Sequence, residues 1–114
     1  MPPNHPTANK TFSYDEARAL LPEVRRLTEE AHRKVETAGT AATAGQGATD
    51  AQEQLDRVVS DWAHAVMELG AEVKGLWLVD FDNGSGYYCW RYPEEDLLYF
   101  HSYEEGFSGR MRIQ

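Results

Sequence analysis

The fold of this chain is decided by residues 75–107, which read GLWLVDFDNGSGYYCWRYPEEDLLYFHSYEEGF. Eight aromatic side chains lie between Trp77 and Phe100, in three runs that are rich in β-forming residues. The turn-forming segments DNGSG and PEED separate these runs. The runs therefore predict three strands, at about residues 76–81, 87–92 and 97–103. Because the connections are too short for crossover helices, the strands should form an antiparallel meander.

Strand pairing decides which side chains share a face of this sheet. With turns at residues 82–86 and 93–96, directly opposed residues predict one mostly apolar face that packs on helices. That face carries Trp77, Val79, Phe81, Tyr87, Cys89, Arg91, Leu98 and Phe100. The opposite face carries Leu76, Leu78, Asp80, Tyr88, Trp90, Tyr92, Leu97, Tyr99 and His101, with Asp80, Tyr88 and His101 in a polar row at one end. A slip of one residue in either pairing would reshuffle the two faces.

Length and charge restrict the classes of protein and partner. The 114 residues predict a single domain at residues 11–114, preceded by a disordered tail at residues 1–10 that holds three prolines. The net charge of −8 argues against nucleic acid or an anionic membrane as a partner. The single cysteine excludes an intrachain disulfide, and no apolar run has transmembrane length, so we expect a cytoplasmic protein.

The first predicted helix spans about residues 13–38. It opens with Ser-Tyr-Asp-Glu, in which Ser13 and Glu16 can form a capping box. Apolar residues then recur every three or four positions in one stripe, which consists of Ala17, Leu20, Val24, Leu27, Ala31, Val35 and Ala38. Pro22 interrupts this pattern, so we expect either a kink or a new helix that begins there.

A glycine-rich connector at residues 39–49 should lead into a second helix at about residues 48–69. Its apolar stripe consists of Leu55, Val59, Trp62, Val66 and Leu69, and Gly70 is a natural helix stop. The two helices predict an antiparallel hairpin. Because their thin stripes bury each other and leave little to cover a sheet, we expect a homodimer in which two hairpins form a four-helix bundle.

An imidazole and two carboxylates lie just after the third run, at His101, Glu104 and Glu105. Together with Asp80 across the sheet, such groups can hold a divalent transition metal or act as acid and base. Asp80 and His101 lie on the outer strands, so a separation of roughly 10 Å should prevent a direct hydrogen bond and leave room for a ligand between them. The alternative is structural: His101 bonds a neighbouring carboxylate and holds the C-terminal loop.

Other residues of the same region are candidates for a ligand site. Tyr88 and Trp90 lie on the aromatic face, and Arg110 should pair with Asp80 or Glu105 and close one end of a pocket. Cys89 is predicted to be a small buried hydrophobe on the core face rather than a nucleophile. The candidate ligand-binding residues are therefore Asp80, Tyr88, Trp90, His101, Glu105 and Arg110.

Several segments in combination resemble a known family. They are FSYDEA at residues 12–17, LLPE at 20–23, GLWLVDF at 75–81, CWR at 89–91, and the polar ending at 99–110. With these pieces the chain resembles the bacterial domain-of-unknown-function family DUF2203. In that family the strand after the helices usually reads like GLVDFP before a longer loop. Here Trp77 is inserted and DNGS replaces the proline-containing segment.

The resemblance implies no established activity. The recurring polar positions of the family, as matched here, are Glu23, Asp80, Trp90, His101, Glu105 and Arg110. The resemblance thus adds Glu23 to the candidate residues, as a carboxylate on the first helix that is able to face the sheet. The candidate metal ligands are therefore Asp80, His101, Glu105 and Glu23.

We therefore expect an α+β protein in which a long antiparallel helical hairpin accompanies a three-stranded antiparallel β-meander. Its expected role is that of a small binding or interaction module that dimerises through its helices. The alternative is a metal-binding or metal-dependent protein that uses the His and carboxylate cluster. The sequence predicts neither a reaction nor a substrate.

Overall fold

A computed structural model describes residues 10–43 and 48–113 of the chain. Two helices come first, α1 (Tyr14–Thr43) and α2 (Ala48–Glu68). Five strands follow, β1 (Glu72–Gly75), β2 (Leu78–Asp82), β3 (Gly86–Arg91), β4 (Tyr99–Ser102) and β5 (Met111–Arg112). They form one antiparallel sheet in the order β1-β2-β3-β4-β5. The predicted α+β class is confirmed, but the prediction of three strands is wrong because two short edge strands complete the sheet.

Helix α1 begins with the predicted capping box. The Ser13 amide donates to Glu16 Oε1 at 2.8 Å, and the Glu16 amide donates to Ser13 Oγ at 3.1 Å. The helix then runs through Pro22 as one element of 30 residues, so the alternative of a new helix at Pro22 is wrong. Residues 39–43 of the predicted connector also belong to α1. Residues 44–47 and residues 1–9 of the predicted tail lie outside the described residues.

The two helices form the predicted antiparallel hairpin. Trp62 of α2 donates its Nε1–H to Thr28 Oγ1 at 2.8 Å, whereas Val35, later in α1, lies beside Leu55, earlier in α2. Helix α2 ends at the predicted stop, where Gly70 adopts a φ of 99° and its amide donates to the Met67 carbonyl. Within the described residues, neither helix is both long and apolar enough to span a bilayer.

The hydrophobic core lies between the hairpin and one face of the sheet. It contains Leu21, Val24, Trp62 and Val66 from the helices, and Val79, Phe81, Trp90 and Leu97 from the sheet and its loops. Phe12, just before α1, joins this core with its ring 5.5 Å from that of Phe81. The opposite face of the sheet, which we call the outer face, points away from the helices.

Both predicted strand pairings are wrong by one residue. Phe81 pairs with Tyr88, and Tyr88 pairs with Phe100. As a result β3 is turned over, so that Tyr88 and Trp90 face the core and Cys89 belongs to the outer face. Between β2 and β4 the two shifts add to two residues, which preserves the face, and Asp80 lies level with Tyr99 instead of His101. Asp80 and His101 therefore share a face, as predicted.

The first shift arises in the turn between β2 and β3. Asn83 Oδ1 accepts the amides of Ser85 and Gly86, each at 2.8 Å, and the Asn83 amide donates to the Gly86 carbonyl at 2.9 Å. These bonds close the turn within residues 83–86 and leave Asp82 in β2, opposite Tyr87.

The second shift arises in the longer loop between β3 and β4. Glu94 folds back there, with its amide bonded to the Arg91 carbonyl and its own carbonyl accepting the Trp90 Nε1–H at 2.8 Å. The loop therefore spans residues 92–98 instead of the predicted 93–96.

Candidate functional site

Three side chains that can ligate a metal meet on the outer face. We call Asp80 of β2, Cys89 of β3 and His101 of β4 the polar cluster. Their exposed fractions are 1%, 0% and 3%. One carboxylate oxygen, the sulfur and one imidazole nitrogen all lie within 4.8 Å of one another. No other such group of three His, Cys, Asp or Glu side chains occurs in the described ranges 10–43 and 48–113.

Asp80 and His101 are joined by a direct hydrogen bond. His101 Nε2 lies 2.8 Å from Asp80 Oδ2, although β3 separates the two strands. The prediction that the two groups lie too far apart for this bond is wrong. That prediction used the spacing of the backbones, whereas the two side chains extend toward each other from β2 and β4, above β3. The small Cys89 side chain, opposite Asp80 on the middle strand, leaves room for that contact.

The second nitrogen of His101, Nδ1, bonds the backbone. Nδ1 lies 2.8 Å from the carbonyl oxygen of Ser102. Because a carbonyl oxygen only accepts, Nδ1 carries a proton and donates it. Nε2 is therefore the nitrogen that His101 directs into the polar cluster.

The Asp80 carboxylate is only partly satisfied. Its Oδ2 bonds His101 and lies 3.7 Å from Lys74 Nζ, whereas its Oδ1 has no hydrogen-bond partner among the described residues. Lys74 comes from β1 and rests over the ring of Tyr87, 3.8 Å from its centroid. Burial lowers the pKa of Lys74, but the Tyr87 hydroxyl and the Asp80 and Glu72 carboxylates outweigh burial and raise that pKa overall. A cation thus flanks the cluster on this side.

Cys89 is buried, as predicted, but on the outer face instead of the core face. Burial, followed by the nearby Asp80 carboxylate, raises the pKa of its thiol to about 12. The two ring nitrogens of His101 are engaged by Ser102 and Asp80, so the imidazole is not free to act as a base on the sulfur. Nucleophilic cysteines need a lowered pKa and an aligned base, so this arrangement disfavours thiol catalysis.

Arg110 covers the sulfur of Cys89. Its Nη1 lies 4.0 Å from Cys89 Sγ, and its guanidinium carbon is 3.9 Å from the centroid of the Tyr99 ring. The predicted ion-pair partners, Asp80 and Glu105, are wrong, because Arg110 bonds the Glu94 carboxylate at 2.9 and 3.1 Å. The side chain is 12% exposed.

The remaining candidates lie elsewhere. Trp90 is buried in the core, and Tyr88 packs against Tyr14 on the same helix-facing side, with 5.4 Å between the ring centroids. Glu23 pairs with Arg26 on α1 at 2.7 Å, and Glu105 is exposed in the segment after β4. None of the four belongs to the polar cluster.

Sequence reasoning missed Lys74 and Glu94. Lys74 lies on a four-residue strand without an aromatic run, so no pattern indicated that this segment joins the sheet beside Asp80. The Glu94 carboxylate accepts the backbone amide of Arg91 at 2.8 Å, and its contact with Arg110 depends on how the loop folds. The acidic residues in the loop after Arg91 were the sequence feature that could have indicated a partner for an arginine.

Comparison with known proteins places the chain in a family without giving it a function. No curated protein and no solved structure matches it. The family model described as "Uncharacterized conserved protein (DUF2203)" matches residues 10–113, which include both helices and all five strands. That range also includes every residue of the polar cluster. The chain therefore belongs to the DUF2203 family of uncharacterized conserved proteins.

Proposed function

We propose that this protein is a binding module for a divalent transition-metal ion, held by Asp80, Cys89 and His101. A carboxylate, a thiolate and an imidazole are ligands that Zn²⁺ and Co²⁺ accept. Cys89 would bind as the thiolate, so its thiol proton is released to solvent when the ion binds. Tetrahedral coordination places ligand atoms roughly 3.3–3.8 Å apart. The present spread of up to 4.8 Å thus requires a contraction of roughly 1 Å.

The observation that carries this proposal is the unpaired oxygen of Asp80. Oδ1 is buried and lacks a hydrogen-bond partner among the described residues. A buried polar atom left in this state costs about 1–3 kcal/mol, so native structures usually give it a partner. A metal ion bound to Asp80 would supply that partner.

The orientation of His101 supports the same conclusion. Histidine ligands commonly donate their second ring N–H to a backbone carbonyl, which fixes the tautomer and leaves the other nitrogen for the metal. His101 already makes this bond, from Nδ1 to the Ser102 carbonyl. Nε2 and Asp80 Oδ2 share a proton across 2.8 Å, so Nε2 would bind the ion with release of that proton.

A metal-loading experiment tests the proposal. Untagged protein is offered Zn²⁺, Mn²⁺, Fe²⁺ and Cu²⁺ in turn, and the bound metal is measured by elemental analysis after dialysis. Co²⁺ serves as a spectroscopic probe, because a cobalt–thiolate bond gives a charge-transfer band. We expect about one ion per chain and that band in the wild type. Both should be absent from Cys89→Ser.

His64→Ala is the matched control, since His64 is exposed on α2. It should bind the ion like the wild type. Substoichiometric metal in folded wild-type protein would refute the proposal, and so would unchanged binding by folded Cys89→Ser. Circular dichroism establishes that each variant is folded.

We further propose that two copies associate through the helical hairpin. Val35, Leu55, Val59 and Ala63 line an apolar groove on the hairpin, and Leu76 projects beside it with 57% of its surface exposed. A two-fold interface uses the same patch on both copies, so each Leu76 can enter the groove of the other. This argument from self-complementarity favours a second copy as the occupant.

Light scattering at micromolar concentrations tests this association. Wild-type protein should have the mass of a dimer, and Leu76→Glu should have that of a monomer. Met67→Glu places the same charge at another exposed apolar residue and should remain dimeric. A monomeric wild type would refute the dimer.

A further inference from the structure

Each of the three proposed metal ligands has a polar partner outside the polar cluster. His101 donates its Nδ1–H to a backbone carbonyl at 2.8 Å, and Lys74 Nζ lies 3.7 Å from Asp80 Oδ2. The third ligand, Cys89, has Arg110 Nη1 at 4.0 Å from its sulfur. In metal sites, partners of this kind orient the ligands, and replacing one of them commonly lowers metal affinity by about 10–100-fold.

Arg110 is held rigidly on the outer face. Its guanidinium lies between the rings of Tyr99 and Phe107, with centroid distances of 3.9 and 4.1 Å, and the side chain is 12% exposed. Nη1 and Nη2 contact the two oxygens of the Glu94 carboxylate at 3.1 and 2.9 Å. Because a two-point ion pair and stacking fix the plane of a guanidinium, they also fix the direction of its N–H groups.

The N–H groups of Arg110 are sufficient for both of its polar neighbours. Nη1 carries two hydrogens, so one can serve Glu94 while the other is directed to Cys89 Sγ. A neutral thiol is only a weak acceptor. Hydrogen bonds from a guanidinium to an anionic acceptor are roughly twice as strong as neutral ones. The contact should therefore be stronger with the thiolate of a metal-loaded site than with the thiol of the free protein.

The charge of Arg110 is compatible with a bound ion. A divalent ion with one carboxylate and one thiolate ligand forms a centre without net charge, so the centre as a whole does not repel the guanidinium. The ligand atom of that centre nearest to Arg110 would be the sulfur, which carries the negative charge. Glu94 in turn balances the charge of Arg110.

We propose that Arg110 is the positioning residue of the metal site, where one N–H of Nη1 holds the Cys89 sulfur and stabilises its negative charge once the ion is bound. This inference rests on the proposed metal site. Glu94, Tyr99 and Phe107 fix Arg110 in turn. The loop at residues 92–98 and the turn at residues 107–109 thus support the site, although they lie outside the polar cluster.

Zinc affinity tests this role, measured at one pH by competition with a chromophoric chelator. Arg110→Met keeps an apolar stem between the two rings but has no N–H, so it should bind Zn²⁺ about 10–100-fold more weakly than the wild type. Arg110→Lys keeps a charged donor without the planar fork and should recover part of that loss. Arg112→Met is the matched control and should bind like the wild type, since Arg112 is exposed with its guanidinium 6.0 Å from the Tyr99 ring.

Two affinity results would overturn the inference and leave the metal site intact. One is wild-type affinity in Arg110→Met, and the other is an equal loss in Arg110→Met and Arg110→Lys, which would attribute the effect to packing. Arg110→Gln, which can still donate to Glu94, gives the same test in case the methionine variant does not fold. Circular dichroism establishes that each variant is folded.

The cobalt–thiolate band provides a readout that a purely structural role would not change. A hydrogen bond to a metal-bound sulfur lowers the energy of the sulfur electrons, so its loss shifts the charge-transfer band to longer wavelength. At saturating Co²⁺ we expect this shift in Arg110→Met and Arg110→Gln but not in Arg112→Met. An unmoved band in folded, cobalt-loaded Arg110 variants would overturn the inference alone. A wild type that binds neither Zn²⁺ nor Co²⁺ would refute the metal site and this inference together.

Discussion

Removing the imidazole of His101 should destabilise the fold strongly. His101→Ala leaves the Asp80 carboxylate, which is 1% exposed, without its hydrogen bond to Nε2. Breaking a buried charged or proton-sharing pair by deleting one member costs about 3–5 kcal/mol, because the remaining group stays buried. A domain of this size is stable by about 5–15 kcal/mol, so the variant should lose a large part of its stability. The melting temperature should fall by about 12–20 °C, at about 4 °C for each kcal/mol.

A double-mutant cycle separates the pair from its surroundings. Asp80→Ala alone should also destabilise, since it leaves the His101 ring buried without its acceptor. Asp80→Ala/His101→Ala removes both members, so its loss should be smaller than the sum of the single losses by about 2–3 kcal/mol. Urea denaturation gives each free energy of unfolding, measured with a chelator so that metal does not contribute.

The control is His64→Ala, an exposed position where the change should stay within about 0.5 kcal/mol. Two results would refute the reasoning. One is a loss below about 1 kcal/mol in His101→Ala, and the other is strict additivity in the cycle.

Three further predictions concern single residues. Cys89 is 0% exposed and its thiol has a pKa of about 12, so a thiol reagent at pH 8 should label it only as fast as the chain unfolds. The Tyr103 hydroxyl donates to Asp82 Oδ1, and this bond raises the pKa of Tyr103 to about 12. The stabilisation from this bond is complete below the unfolded tyrosine pKa of about 10 and is lost as pH rises through about 12. In an ultraviolet titration, Tyr103→Phe should therefore lack the tyrosine ionisation near pH 12. Gly70→Ala should lower the free energy of unfolding by about 1 kcal/mol because φ is positive there, whereas Gly39→Ala, with open space around a Cβ, should raise it by about the same amount.

Local patterns predicted the helices well because the physics that decides them is local. The capping box at Ser13 and Glu16 and the stop at Gly70 depend on residues within one helical turn of each other. The end of α1 was predicted less well. A glycine and small residues indicated a connector from residue 39, but the helix continues to Thr43. Pro22 lies within the continuous helix α1, whereas one of the two sequence-based alternatives had a new helix beginning there.

The strand pairings show where sequence reasoning fails. The length of each turn sets the register of the strands that it joins. Here the turn lengths depend on side-chain hydrogen bonds of Asn83 and on how the loop around Glu94 folds. The alternation of apolar and polar residues gives no information on either. Each turn shifted its pairing by one residue, so only β3 was turned over. Asp80 and His101 were placed on one face correctly because two shifts of one residue add to a displacement of two, which preserves the face. Cys89 was placed on the wrong face because a single shift separates β3 from β2.

The two outer strands of the sheet limit how one molecule can add to another. Strand β1 has four residues and an irregular register between Val73 and Gly75, and β5 has two residues. Unpaired backbone groups on a long flat edge would recruit further chains and favour fibrillar growth. Short and irregular edges offer almost no template for such growth. Although this protein exposes Leu76 and Met111, its short edge strands protect it against edge-to-edge pairing of sheets during storage at high concentration.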